Sequence, residues 1–189
     1  MSKTLSGRKL ALFAALAITV TTALCAENIK AGQNWGQWRG PLATGYAPHA
    51  NPPIEWSETK NVRWKTALPG LGHSSPILWA NHVYLTSAIH TGKKLSVPEQ
   101  PSGAHNNLDP FHKLQFTVLA IHRRTGKIVW QKTVHTTQPH QSTHKSATWA
   151  SNSPVTDGEH LIASFGSAGL FCLKVPTGEL VWKKNLGKM

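Results

Sequence analysis

The stretch RRTGKIVWQK (123–132) returns as VPTGELVWKK (175–184), 52 residues further on. Each copy holds Thr-Gly, a charged residue, two aliphatic residues and a Trp, with a Lys within two places. Self-similarity at such a period restricts a chain to architectures that stack one small unit. Thr-Gly suits a tight turn, since Gly accepts positive φ and Thr can bond back to the local backbone. QFTVLAIH (115–122) and LFCLK (170–174) precede the turns, and KIVWQKTV (127–134) and ELVWKKNL (179–186) follow them. All four runs are rich in aliphatic and aromatic residues, and alternation places Ile128 with Trp130, and Leu180 with Trp182, on one face. The unit therefore reads as strand, Thr-Gly turn, strand.

The similarity extends upstream. SSPILWANHVYLTSA (74–88) aligns with NSPVTDGEHLIASFG (152–166), each a strand, a turn and a second strand, with turns at Ala80-Asn81 and Asp157-Gly158. A full unit is four strands, at about 74–79, 82–87, 114–122 and 127–135 in the first and 148–155, 160–165, 169–174 and 179–185 in the second. Four-stranded units with a recurring Trp and Gly predict an all-β chain of antiparallel propeller blades, about 74–135 and 148–186. An insertion at 89–113, rich in Gly, Pro, Asn and His, reads as a long exposed loop in the first blade. NVRWKTAL (61–68) reads as a lone fourth strand with its Trp at 64, a closing strand that would complete a last blade. GSAG (166–169) reads as the turn between the second and third strands of blade two.

LAIHRRTGKIVW (119–130) resembles the Ala-x-Asp-x-x-Thr-Gly-Lys-x-x-Trp repeat of the pyrroloquinoline quinone (PQQ)-like β-propellers, and CLKVPTGELVW (172–182) is a looser copy. NWGQWRGP (34–41), followed by IEWSETKNVRWKTALPGLGHSSPILW (54–79), is similar to the start of exported PQQ-like repeat proteins. The resemblance implies a quinoprotein-like ring of about seven or eight blades, of which two blades and a closing strand stand here, so that further blades are needed to close it. The Asp of the family repeat, which helps lock neighbouring blades, is His122 in one copy and Lys174 in the other.

Residues 1–26 are set apart from the fold. Lys3, Arg8 and Lys9 precede an apolar or small run from Leu10 to Leu24, and small residues follow, the pattern of a cleaved secretory leader ending at Cys25 or Ala26. The run is short of the ~20 apolar residues that a spanning helix needs, and no other segment approaches that length. Residues 27–60 form an N-terminal arm, and 61–189 carry the repeats. Loss of the leader's three basic residues lowers the formal net charge from +12 to +9. The remaining basic residues are scattered over strand ends and turns, so solvated positive faces are expected, with no nucleic-acid partner. Cys25 and Cys172 cannot build a disulfide framework, and Cys172, in an apolar strand, is expected to be buried.

Strand direction alternates within a blade, so the insertion (89–113) and the connection HTTQPHQSTHKSA (135–147) should emerge on one face, opposite the Thr-Gly turns. They carry His90, His105, His112, His135, His140 and His144 with Asp109. A metal or anion site could draw on His105, Asp109, His112, His140 and His144, although no spacing matches a helical His pair or a zinc framework. Trp64, Trp130 and Trp182 recur at one blade position and are expected to pack between blades. Trp79 and Trp149 are expected in the core, and Trp35, Trp38 and Trp56 to pin the arm to the ring. Catalytic relatives in the resembled family use an adjacent Cys pair, a cofactor-stacking Trp and Glu, Asn and Asp ligands for calcium. This chain has no Cys pair and no acidic cluster, so it supports no cofactor of its own, and PQQ and calcium enter only through the resemblance. No catalytic residue is assigned. The expected function is an exported, non-catalytic binding or scaffold module of the cell envelope, periplasmic or extracellular, with protein partners. The alternative is a PQQ-dependent oxidoreductase whose catalytic residues lie in other blades.

Overall fold

A computed structural model of the chain describes residues 33–48, 50–99 and 107–188. The leader pattern at 1–26 and His105 lie outside the described residues. Within them, the strands in chain order are β1 (Ile77–Trp79), β2 (His82–Thr91), β3 (Asn107–Leu108), β4 (Lys113–His122) and β5 (Ile128–Thr137), then β6 (Thr143–His144), β7 (Val155–Thr156), β8 (His160–Ser164), β9 (Leu170–Lys174) and β10 (Leu180–Lys184). A single 3₁₀ turn, Gly166–Ala168, fills the expected β8–β9 connection. No helix among the described residues is long and apolar enough to cross a membrane.

Two four-stranded antiparallel sheets form, ordered β1-β2-β4-β5 and β10-β9-β8-β7, and a two-stranded ribbon joins β3 to β6. Each large sheet is one repeat unit, here called blade one and blade two. The blades pack face to face over one core. Tyr84, Phe116, Val118 and Ala120 of blade one meet Leu161, Ala163, Phe171 and Leu173 of blade two. A smaller cluster of Leu85, Leu119 and Ile121 covers the other face of blade one, with Trp64 against it.

Four details differ from the sequence reading, each for a physical reason. The fourth strands are bulged: Ile121 pairs with Ile128 but Ala120 pairs with Trp130, and Leu173 pairs with Leu180 but Cys172 pairs with Trp182. Cross-strand partners share a face, so the extra residue turns each Trp to the face opposite Ile128 or Leu180. The first strand of blade two is Val155–Thr156 alone. Upstream, Thr148 and Ser151 fold the backbone into a turn through side-chain bonds, Thr148 N–H to Ser151 Oγ at 2.9 Å and Ser151 Oγ to the Thr148 carbonyl at 2.7 Å. Such bonds compete with a strand ladder. The insertion is 92–112, because β2 runs on to Thr91 and β4 starts at Lys113, and it contains β3. Segment 61–68 joins no ladder among the described residues, since no third strand stands beside it.

The arm is tied to the first strands of both blades. Trp35 exchanges two 2.8 Å backbone bonds with Leu78 of β1, and the Gly36 carbonyl accepts from Thr156 N–H of β7 at 2.8 Å. Trp38 and Trp56, expected to pin the arm, are 62% and 72% exposed, and only Trp35 of the three does so.

Candidate functional site

The two Thr-Gly turns are built alike. The Gly126 and Gly178 N–H groups donate to the carbonyls of His122 and Lys174, at 2.9 and 2.8 Å. Both glycines sit at positive φ, +71° and +67°, where a side chain is strained. Where the resembled repeat has Asp, this chain substitutes two local devices. His122 Nδ1 meets Thr125 Oγ1 at 3.1 Å, and Lys174 Nζ meets Glu179 Oε2 at 2.8 Å. The hydrogen bond and charge of Lys174 hold the Glu179 carboxyl below the usual carboxylate range.

A Trp lies on each turn. Trp64 donates its Nε1 hydrogen to the Arg123 carbonyl at 2.9 Å, and Trp130 donates to the equivalent Val175 carbonyl at 3.2 Å. A Cβ at Gly126 would come within 2.6 Å of the Trp64 ring, and one at Gly178 within 2.7 Å of the Trp130 ring. Segment 61–68 thus docks on blade one as β5 docks on blade two, without a ladder of its own. Trp182 holds the third such position and has no turn beside it among the described residues. It is 44% exposed, and the pairing of Trp182 with Cys172, Cys172 with Ile162 and Ile162 with Val155 puts it on one face with Val155, 40% exposed. With Ile162, Cys172 and His160 it walls a depression of about 370 Å³ on the open face of blade two. Burial raises the Cys172 thiol above its ordinary value, as its place in an apolar strand implied.

The opposite rim brings the insertion and the β5–β7 connection together. Asn107 pairs with His144 and Leu108 with Thr143. The Ser142 hydroxyl donates to Asp109 Oδ1 at 2.9 Å, and Gln138 Nε2 donates to the Ser96 and Pro110 carbonyls at 2.7 and 2.8 Å. Among the described residues, the rim histidines do not converge on one point. His112 lies 5.3 Å, ring to ring, from His90. His144 is exposed and bonded to Ser146 Oγ at 2.7 Å. His135 stacks between Phe116 and Phe171, at 6.4 and 6.2 Å. His140 lines a groove between the blades, and its Nε2 is buried with no protein partner. Among the described residues, no three of His, Cys, Asp or Glu gather as a metal-holding group.

The groove, of about 590 Å³, was not legible in the sequence. Trp149 packs against the core as expected, but from a turn instead of a first strand, and it stands on the groove wall, donating Nε1–H to the Gln141 carbonyl at 2.9 Å. Lys183, Lys184 and Lys188 stand at its edge. Alternation along β10 puts Lys183 opposite core-facing Leu180, and only the bulge turns it toward blade one.

Residues 112–189 match the model of a repeat family described as outer membrane protein assembly factor BamB. The match takes in β4 and β5 of blade one and all of blade two, and covers less than half of the chain. Among solved structures, a europium-containing methanol dehydrogenase is similar over 59% of this chain, at 15% identity and a TM-score of 0.28. The match covers 24% of that enzyme's chain, so this chain spans well under half its length. No curated protein matches.

Proposed function

We propose that the chain is an exported, non-catalytic PQQ-like repeat protein that binds protein partners in the cell envelope. The open face of blade two carries this reading. The Trp position that closes two seams, at Gly126 and Gly178, is left 44% exposed at Trp182, on one face with Val155 and Ile162. Contiguous apolar surface of that kind marks a protein interface. A blade edge with a glycine turn is the shape it fits, supplied by a further blade or by another polypeptide. The leader pattern at 1–26 supports export, and the name of the matched family, an assembly factor, supports a role in protein contacts.

The deciding experiment is a titration of the full chain with PQQ in the presence of calcium, following Trp fluorescence and dye reduction with simple alcohols and sugars. The expected result is neither saturable binding nor turnover. Saturable binding with turnover would transfer the protein to the oxidoreductases. A photocrosslinker at Val181 should capture a discrete envelope protein, while one at Lys127, beside the filled turn of blade one, should not.

A further inference from the structure

The filled seam between the blades is a template for the open face of blade two, because the two faces correspond residue for residue. Ile77, Tyr84, Ala120 and Trp130 pair in one row across blade one, as Val155, Ile162, Cys172 and Trp182 do across blade two. Two residues beyond Ile77 stands Trp79, and two beyond Val155 stands Asp157. In the filled seam, two rings of blade one each take a glycine of blade two. A Cβ at Gly178 would come within 2.7 Å of the Trp130 ring, and one at Gly158 within 2.5 Å of the Trp79 ring.

The open face keeps the first ring, as Trp182, and has a carboxylate in place of the second. Asp157 is far smaller than an indole, and it lines the depression of about 370 Å³ together with His160 and Trp182. Its Oδ1 accepts the N–H groups of Glu159 and His160, at 2.9 and 2.7 Å, which fixes the carboxylate at the turn. Its Oδ2 stands 3.8 Å from His160 Nδ1, beyond hydrogen-bond reach, and keeps its acceptor capacity. Burial works against the charge, but the backbone bonds and His160 hold the carboxyl below its ordinary range, so it is ionised at neutral pH. No Lys or Arg lines the depression. Lys174, on the same face, is paired with Glu179 at 2.8 Å, and Lys184 stands one row further from the Thr-Gly turn. In a chain of net charge +12, this is a fixed anion beside an exposed aromatic ring, with no Lys or Arg of its own.

A third blade built like blade two would set a glycine turn over Asp157, as Gly158 lies over Trp79, and would bring the carboxylate no cation. We infer that the partner of this face is a separate polypeptide that inserts an arginine side chain into the depression, its guanidinium on the Trp182 ring and hydrogen-bonded to Asp157 Oδ2. Arginine suits both neighbours. Its planar cation stacks on an indole face, donates to a carboxylate through a rigid fork, and is more weakly hydrated than an ammonium group. The inference rests on the protein-binding reading of this face and adds the partner's chemistry to it.

The test uses the full chain and two peptides of one shape: acetyl-Arg-Thr-Gly-amide, and the same peptide with citrulline, whose neutral urea replaces the guanidinium. Calorimetry and Trp fluorescence report binding. The arginine peptide should bind saturably and more weakly as salt is added. The citrulline peptide should bind about tenfold more weakly, a difference of about 1.4 kcal/mol. Asp157→Asn keeps an oxygen for the two backbone N–H groups and should bring the arginine peptide down to the citrulline level. Trp182→Ala should weaken both peptides, and Lys184→Gln, outside the depression, neither. The comparison of peptides needs no variant, so it decides the matter even if Asp157→Asn does not fold. Equal binding of the two peptides, or arginine binding that survives Asp157→Asn, would overturn the inference and leave the protein-binding reading standing. Absence of binding by either peptide would overturn it too, and an unfolding midpoint that then rises with protein concentration would show the face filled by a second copy. The crosslinker at Val181 tests the wider reading separately, and only its failure to capture a protein counts against that reading.

Discussion

Blade one is covered on both faces and blade two on one. Segment 61–68 lays Trp64 over the Gly126 turn of blade one, and blade one lays Trp130 over the Gly178 turn of blade two. Trp182 faces outward, half exposed. The two blades share strand order, turn geometry and the bulge that aims the Trp, so the difference in exposure at that Trp is one of neighbours. A propeller blade is thus a unit whose second face is completed from outside. Its buried residues follow from what stands beside it as much as from its own sequence.

The largest expected effect comes from removing the Trp that joins the blades. Trp130→Ala takes a ring out of the shared core and breaks the 3.2 Å bond to Val175, and should cost about 3 kcal/mol in urea unfolding. A loss below about 1 kcal/mol would show that the two blades fold independently, which the shared cluster of Tyr84, Phe116, Phe171 and Leu173 argues against.

Next comes the turn beneath that ring. Gly178→Ala adds a Cβ at φ +67°, within 2.7 Å of the Trp130 ring, and should cost about 2 kcal/mol. Gly187→Ala is the matched control. Gly187 has φ +78° but open space around it, so it reports the backbone strain without the clash. Gly178→Ala should exceed Gly187→Ala by at least about 1 kcal/mol. Equal costs would mean that contact with the Trp adds nothing to the conformational requirement for Gly.

These turns mark where sequence and fold coincide most closely. The recurring Thr-Gly and Trp placed the hairpins, because a positive-φ turn has few sequence solutions. The strand runs 114–122 and 169–174 fell within a residue or so of β4 and β9, because both are buried on two faces and strongly apolar. Legibility failed where single residues compete. Thr148 and Ser151 spend their hydroxyls on a turn and cut a strand short. One extra residue in β5 and in β10 reverses the Trp face, which alternation alone cannot register. The shared rim of the insertion and the β5–β7 connection followed from strand direction, but the groove behind it did not. It depends on which side of β10 Lys183 occupies, and that is set by the bulge.

A third, smaller effect separates the blades by pH. His82 and His122 are cross-strand partners in blade one, with rings 6.2 Å apart, while the equivalent pair in blade two is His160 and Lys174. Burial, and then the charge of His122, lowers the pKa of His82 below its ordinary 6.5. The unfolded chain therefore takes up this proton at a higher pH than the folded one. The His82 contribution to stability is present above about pH 6.5 and is lost as pH falls from there through the lowered value. Unfolding free energy measured between pH 7.5 and pH 5 should decline, and His82→Gln should flatten the decline. A profile as steep in that variant as in the parent would locate the acid sensitivity elsewhere.

The smallest effect is the one that tests the comparison most directly. Trp182→Ala removes the same side chain, at the same bulge and on the same face, as Trp130→Ala. A half-exposed ring with no turn beneath it should contribute within about 0.5 kcal/mol to the stability of this chain. If Trp182→Ala instead costs as much as Trp130→Ala, the open face is filled in solution, and a second copy of the chain is its simplest occupant. Measuring the unfolding midpoint across a range of protein concentrations distinguishes the cases. A ring buried by association makes the midpoint rise with concentration, and one left open to solvent does not. Independence from concentration, with a negligible cost for Trp182→Ala and a large one for Trp130→Ala, would establish that a single residue position is core in one blade and binding surface in the next.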